Sequence, residues 1–244
     1  MAAKARRVHV QRELIWHGGK RKGAGRKPKG RRAGSPHKTR PTVDAGQAMH
    51  VVLRVVSAVG SMRRRKMYKA VRDATVVAAI RERIRIVHVS VQRTHLHLIV
   101  EAETKKLLAS GIQGFQISVA RNVNTALGVD GCRRRGPVFA DRYHLEVIES
   151  PTRARNAISY VLGNWRKHGE DRDGEARTWL VDPFSSGFSF PDWQELDGAD
   201  VMWKIPERRA SYEPLVVYRP RSWLLREGWK LAGSISARSV PGRA

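Results

Sequence analysis

Hydrophobic and polar positions along the chain switch between a period of two and a helical period, and the switches mark out the elements. Residues 50 to 56, "HVVLRVV", are rich in β-branched side chains and run into the turn "SAVGS", which predicts a strand. From 63 to 84, "RRRKMYKAVRDATVVAAIRERI" predicts a helix with Met67, Val71, Val76, Ala79 and Ile80 as its apolar positions. "IRIVHVSVQ" and "HLHLIVEA" then flank the polar pair Arg93-Thr94 and predict a hairpin. Thr104 is placed to cap a helix running to Leu127, with Leu108, Ile112, Phe115, Val119, Val123 and Leu127 on one face and Gly128 as its stop; Gly111 and Gly114 weaken its first half. "VFADRYHLEVIE", residues 138 to 149, predicts a fourth strand, and Ser150, Pro151 and Gly169 bracket a last helix with a cap, a first-turn proline and a terminal glycine. The order β-α-β-β-α-β-α defines an α+β protein: a ferredoxin-like split β-α-β core with an antiparallel sheet and one added C-terminal helix.

Composition divides the chain further. Residues 1–44 read as a disordered basic arm, because "GGKRKGAGRKPKGRRAGSPHKTRP" offers almost nothing to bury. Residues 45–169 hold the predicted domain, and 170–244, with scattered tryptophans and the helical "RSWLLREGWKLAG", reads as an extension packing on that core. A formal net charge of +25 exceeds what solubility requires and attracts polyanions, so nucleic acid is the expected partner. "GAGRKPKG" resembles an AT-hook interrupted by Lys27; Arg26 and Lys27 are read as contacts of a phosphate-binding tail. No apolar run is long enough to span a bilayer and the N-terminus lacks an apolar signal core, which predicts no membrane partner and a cytoplasmic, nucleoid-associated protein. Cys132, the only cysteine, excludes an intramolecular disulfide and a zinc site built on several thiolates.

In "THLHLIV", His95 and His97 share one face of a strand while Leu96 and Leu98 point to the other. Two imidazoles a pleat apart can hold one metal ion, although a half-exposed histidine pair is as often only structural. The last helix, "SPTRARNAISYVLGNWRKHG", gives the pair a context. Ala154, Ala157, Ile158, Val161, Leu162 and Trp165 form its core stripe, and Arg153, Asn156, Tyr160, Asn164 and Lys167 form a polar row beside it. The cations could hold phosphate, the phenol could attack it, and Asn164 offers an oxygen to a hard metal.

These residues resemble the IS200/IS605-type tyrosine transposases, and within them the REP-associated tyrosine transposases. The resemblance lies in the His-hydrophobe-His of "THLHLIV", the helix bearing "YVLGN", and "RRRGPVFADRYH" before it, and covers about residues 47 to 168. Trp165 stands where that family has proline, so the helix is expected to continue where relatives kink. The resemblance implies a single-stranded DNA endonuclease and strand-transferase of the HUH type. In it, Mg2+ or Mn2+ is held by His95, His97 and Asn164, Tyr160 is the nucleophile on a catalytic helix, and a 5′-phosphotyrosyl intermediate forms on hairpin or palindromic DNA. Arg153 and Lys167 would position phosphate, and Arg121, Arg133, Arg134, Arg135 and Arg142 would be general DNA contacts. His50, His88 and His144 are read as structural. The protein would act as a monomer or homodimer. Two rivals are a hairpin-binding regulator that does not cut and an RNA-recognition-type binding module; the second needs aromatic residues on its central strands, and "HLHLIVEA" and "IRIVHVSVQ" have none.

Overall fold

The computed structural model describes residues 43–172, 174–197 and 213–242. The basic arm, including Arg26 and Lys27, therefore lies outside the described residues except for its last two positions. Seven elements appear in the expected order: β1 (Ala48–Arg54), α1 (Arg65–Arg81), β2 (Arg85–Val91), β3 (His95–Glu101), α2 (Lys105–Ala126), β4 (His144–Ile148) and α3 (Pro151–Lys167). The four strands form one antiparallel sheet in the order β2-β3-β1-β4, the ferredoxin-like arrangement.

The alternation of β1 and β3 sends apolar side chains to both faces of the sheet. On one face Met49, Val51, Leu53, Leu96, Leu98 and Val100 meet α1 and α2. On the other, Ala48, Ile99, Ile148 and Val87 meet Ala154, Ala157, Ile158, Val161 and Leu162 of α3. Val87 reaches that second face because the β2–β3 register slips between Ile86 and His88, a bulge that admits one extra residue. Every residue of the expected α3 stripe is buried, Trp165 included, and the helix continues through Trp165 to Lys167. Ser150 Oγ accepts from Arg153 N–H, Pro151 occupies the first turn, and Gly169 (φ 69°) takes the left-handed position that ends the helix.

Three expectations are corrected. The buried face of α1 is Met67, Tyr68, Ala70, Val71, Ala74, Thr75 and Ala78, whereas the expected Val76 and Ala79 are only half-buried and Ile80 is 77% exposed. Small residues there let α1 and α2 pack closely, which outweighs the size of the apolar side chain. Gly111 serves a second close approach, to Ile84 in the link between α1 and β2: a Cβ at this position would overlap Ile84, so the glycine that weakens α2 as an isolated helix permits its packing. The fourth strand is only His144–Ile148; before it, Phe139 makes an isolated bridge to Val55. "RSWLLREGWKLAG" is not one helix but a single turn, α4 (Trp223–Arg226), followed by a 3-10 turn at Gly228–Ala232.

Segments after α3 are joined to the sheet and to α3 by specific bonds. Buried Asp182 accepts two hydrogen bonds from the Arg63 guanidinium, at 2.8 and 2.9 Å. Removing one partner of such a buried pair costs about 3–5 kcal/mol. The buried Glu101 carboxylate accepts from the backbone N–H groups of Arg221 and Ser222. Residues 228–242 lie along α3: Trp229, Ile235 and Ala237 enter its apolar cluster, Arg155 donates to Ser234 O, and Arg166 donates to Ala237 O. No helix among the described residues is long and apolar enough to cross a membrane.

Candidate active site

The register of the sheet assembles a polar patch on the face covered by α3. Antiparallel pairing sets Arg54 opposite His95 and Val52 opposite His97, and on the other side of β1 it sets Glu146 opposite His50 and His144 opposite Val52. Side chains directly across a pair share a face. Arg54, His50, His95, His97, His144 and Glu146 therefore look toward one side. α3 crosses that side and contributes Tyr160, Asn164 and Lys167, one helical turn apart or less.

The rings make a continuous cluster. His95 and His97 lie 4.6 Å apart, His50 stacks on His97 at 5.2 Å, and the Tyr160 ring stands edge-on to His97 at 5.2 Å and to His50 at 5.9 Å. Lys167 Nζ sits 4.7 Å from the centre of the Tyr160 ring. His168, at the C-cap of α3, brings its ring to 5.6 Å from that of His95.

Burial sets the protonation of this cluster. Desolvation lowers His95 and His50 to about 4. His97 falls well below the usual histidine value, first through desolvation and then through the charges of His50, His95, His168 and Lys167. All three imidazoles are therefore neutral at neutral pH, the form a metal ligand requires. Tyr160 moves the other way: partial burial, then the negative charge of Glu146, raises it above the ordinary phenol value.

The donor set fits a divalent ion. His97 Nε2 and both side-chain polar atoms of Asn164 are buried and have no partner among the described residues. His97 Nδ1 lies 3.0 Å from His50 Nε2. For His97 Nε2 to offer its lone pair, the ring proton must sit on Nδ1 and be donated to His50 Nε2; His50 thus fixes the tautomer that a ligand needs. Among the described residues no group of three or more His, Cys, Asp or Glu could hold a metal. The third protein ligand would have to be the Asn164 oxygen. Two imidazoles and an amide oxygen suit Mn2+ better than Mg2+, which prefers oxygen ligands.

Of the residues singled out in the sequence, His95, His97, Tyr160, Asn164 and Lys167 come together. Arg153 is exposed in the first turn of α3, well before Tyr160 along the helix. Arg121 lies on α2, across the sheet from α3. Arg133 and Arg135 are exposed in the loop before β4, as is Arg142. Arg134 is engaged within that loop, donating to Asn124 Oδ1 and Pro137 O. His88 is buried beside Phe190 with Nδ1 3.4 Å from Ser186 Oγ, in keeping with a structural histidine. His50 and His144 do not share that position: His50 is bonded to His97, and His144 Nε2 pairs with Glu146 Oε1 at 3.1 Å on the rim of the site. His168 was readable, because it continues the Tyr160–Asn164 row by four residues. Arg54, His50 and Glu146 enter the site only through strand register, which the sequence does not print.

No family model and no curated protein matches the chain. Among solved structures it is similar to a REP-associated tyrosine transposase bound to a REP hairpin, at 16% identity over 77% of this chain and 100% of that one, with a TM-score of 0.46. It is also similar to a candidate transposase from Deinococcus radiodurans, at 14% identity over 57% of this chain and 99% of that one, with a TM-score of 0.35.

Proposed function

We propose that the chain is a metal-dependent single-stranded DNA endonuclease and strand-transferase, transposase-like, with Tyr160 as nucleophile. The observation that carries this reading is the packing of the Tyr160 ring against His97 and His50, with the unpartnered, buried Asn164 amide one turn further along α3. A nucleophile, two neutral imidazoles and a free amide oxygen in one patch of a protein of charge +25 suit phosphoryl transfer on nucleic acid. Mg2+ or Mn2+ held by His95, His97 and Asn164 would polarise the scissile phosphate and stabilise the charge that develops on it.

The chain's own groups divide the remaining work. Burial and then the charge of Glu146 raise Tyr160 above the ordinary phenol value, so its ionised form would need cations close by to be stabilised. Lys167, above the Tyr160 ring, and Arg54, opposite His95, are placed to hold a phosphate between sheet and helix. Attack by Tyr160 Oη forms an Oη–P bond and breaks the P–O3′ bond. The phosphate stays on the 5′ end as a phosphotyrosyl ester, and the phenol proton ends on the departing 3′-hydroxyl. A second 3′-hydroxyl can reverse the step with no nucleotide cofactor, because the ester conserves the energy of the phosphodiester. Hairpin or palindromic DNA is the proposed substrate.

The test uses a hairpin oligonucleotide with a single-stranded flank, in Mn2+. Label on the 3′ side of the cut should migrate with protein after denaturation, and label on the 5′ side should be released with a free 3′-hydroxyl. Tyr160→Phe should bind the same DNA and form no adduct. An adduct that persists in Tyr160→Phe, or cleavage without any adduct, would refute the assignment.

A further inference from the structure

α1 begins with a charge pattern that works against its own stability. A helix N-terminus carries partial positive charge and favours acidic residues in its first turn. Here Arg64 is the N-cap without a side-chain cap bond, Arg65 and Lys66 open the helix, and the first turn holds no acid. Lys69 and Arg72 extend the same flank at spacings of three and four. Arg64, Arg65, Lys66 and Lys69 are exposed, and no ion pair or hydrogen bond occupies the side chains of Arg65, Lys66 or Lys69 among the described residues.

This flank is concave. Arg65, Lys66, Tyr68, Lys69, Arg72 and Glu213 line a groove of about 600 Å³. Four cations therefore face one carboxylate, and Arg72 already engages that carboxylate at 2.6 Å. The core gains nothing from these charges, since Met67, Ala70, Val71 and Ala74 make the inward face of α1. Two cations of α3 differ in kind: Arg155 and Arg166 donate to carbonyls of residues 179–237.

The start of α1 also adjoins the end of the sheet at which His95 stands. Met62 N–H donates to Arg93 O, and Arg63 donates to Val91 O. Arg63 and Arg93 both engage Glu170, two residues beyond His168, whose ring approaches His95. The groove and the Tyr160 site thus lie on opposite faces of the sheet and share this one end of it.

We propose that the groove of Arg65, Lys66, Lys69 and Arg72 is a second DNA site, gripping the sugar–phosphate backbone of the segment that flanks the one presented to Tyr160. This rests on the DNA-acting reading given above but not on the identity of its nucleophile. The phosphodiester backbone could belong to a single-stranded flank or to a duplex stem, and the two are separable by experiment.

The full chain carrying Arg65→Gln, Lys66→Gln and Lys69→Gln is compared with wild type, with thermal melting as the check on folding. Anisotropy titrations across a salt series use three fluorescent DNAs: a short single strand that reaches only the Tyr160 site, the same strand with a long single-stranded flank, and the same strand with a duplex stem. On whichever long probe is gripped, the slope of log affinity against log salt should shrink by about 2 for a single strand or nearer 3 for duplex, and affinity near 0.1 M salt should fall about 100-fold. The short probe should bind both proteins alike, and cutting at saturating DNA should keep its rate. Unchanged slopes on both long probes overturn the proposal, as does an equal loss on the short probe, which would mean a diffuse charge effect. Because binding is read separately from adduct formation, a failure of the Tyr160 assignment leaves this result standing.

Discussion

Replacing Asn164 by leucine should stabilise the protein in chelator while removing its response to metal. Asn164 is fully buried, and neither its amide oxygen nor its amide nitrogen has a partner among the described residues. Each unsatisfied buried group costs about 1–3 kcal/mol; leucine has the same branching without either polar group, but its methyls are bulkier, and overpacking a buried position costs about 1–3 kcal/mol. Set against that strain, the net gain in the metal-free state should be about 1–3 kcal/mol, which for a domain of this size raises Tm by roughly 2–12 °C. Metal acts in the opposite sense. An ion at a hundred times its Kd stabilises wild type by about 2.7 kcal/mol, and Asn164→Leu, short of one ligand, should show little of that shift. Thermal melts of both proteins in EDTA and across a Mn2+ series provide the measurement, with no DNA present. A variant that melts at or below wild type in EDTA would show that the amide is satisfied in solution. A variant that keeps the full Mn2+ shift would remove Asn164 from the ligand set.

Two further outcomes follow from other histidines. His50→Phe keeps a ring beside His97 and loses the acceptor that fixes its tautomer, so Mn2+ affinity should fall about 10- to 100-fold and activity should return at high metal; unchanged affinity in a calorimetric titration would count against the His50–His97 bond as a determinant of the site. His88, whose value desolvation lowers from 6.5 to about 4, takes up its proton later in the folded than in the unfolded chain. Its contribution is complete above about pH 6.5 and lost as pH falls toward 4, on the order of 3 kcal/mol. His88→Leu should therefore flatten the decline in urea midpoint between pH 7 and 4.5, and parallel declines in the two proteins would refute it.

Much of this architecture is legible in the chain because its signals are local. Ser150, Pro151 and Gly169 mark the ends of α3 with side chains whose capping roles depend only on near neighbours. The alternation of "HLHLIVEA" sorts its histidines from its leucines without reference to any other strand. What failed was decided at a distance. Ile80 looked internal by its hydrophobicity, but the face of α1 was chosen by close packing on α2, where alanine serves better. The site divides in the same way. His95, His97, Tyr160 and Asn164 stand on two periodic elements and could be paired by spacing, whereas His50, Arg54 and Glu146 depend on which residues of β1, β3 and β4 fall opposite one another. Spacing puts Asn164 on a polar flank, whereas packing closes it off from solvent altogether.

The clasp that residues 228–242 place on α3 bears on the order in which a newly made chain becomes competent. The helix carrying Tyr160 and Asn164 is synthesised well before the segment that holds its outer side, where Gly163 meets Pro241, Arg166 meets Ala237 and Lys167 approaches Gly242. Until those residues leave the ribosome, Trp229, Ile235 and Ala237 are missing from the apolar cluster that α3 shares with the sheet. A nascent or prematurely terminated chain would carry Tyr160, Asn164 and the histidines without the segment that holds the outer side of their helix, so completion of the candidate site is coupled to completion of translation.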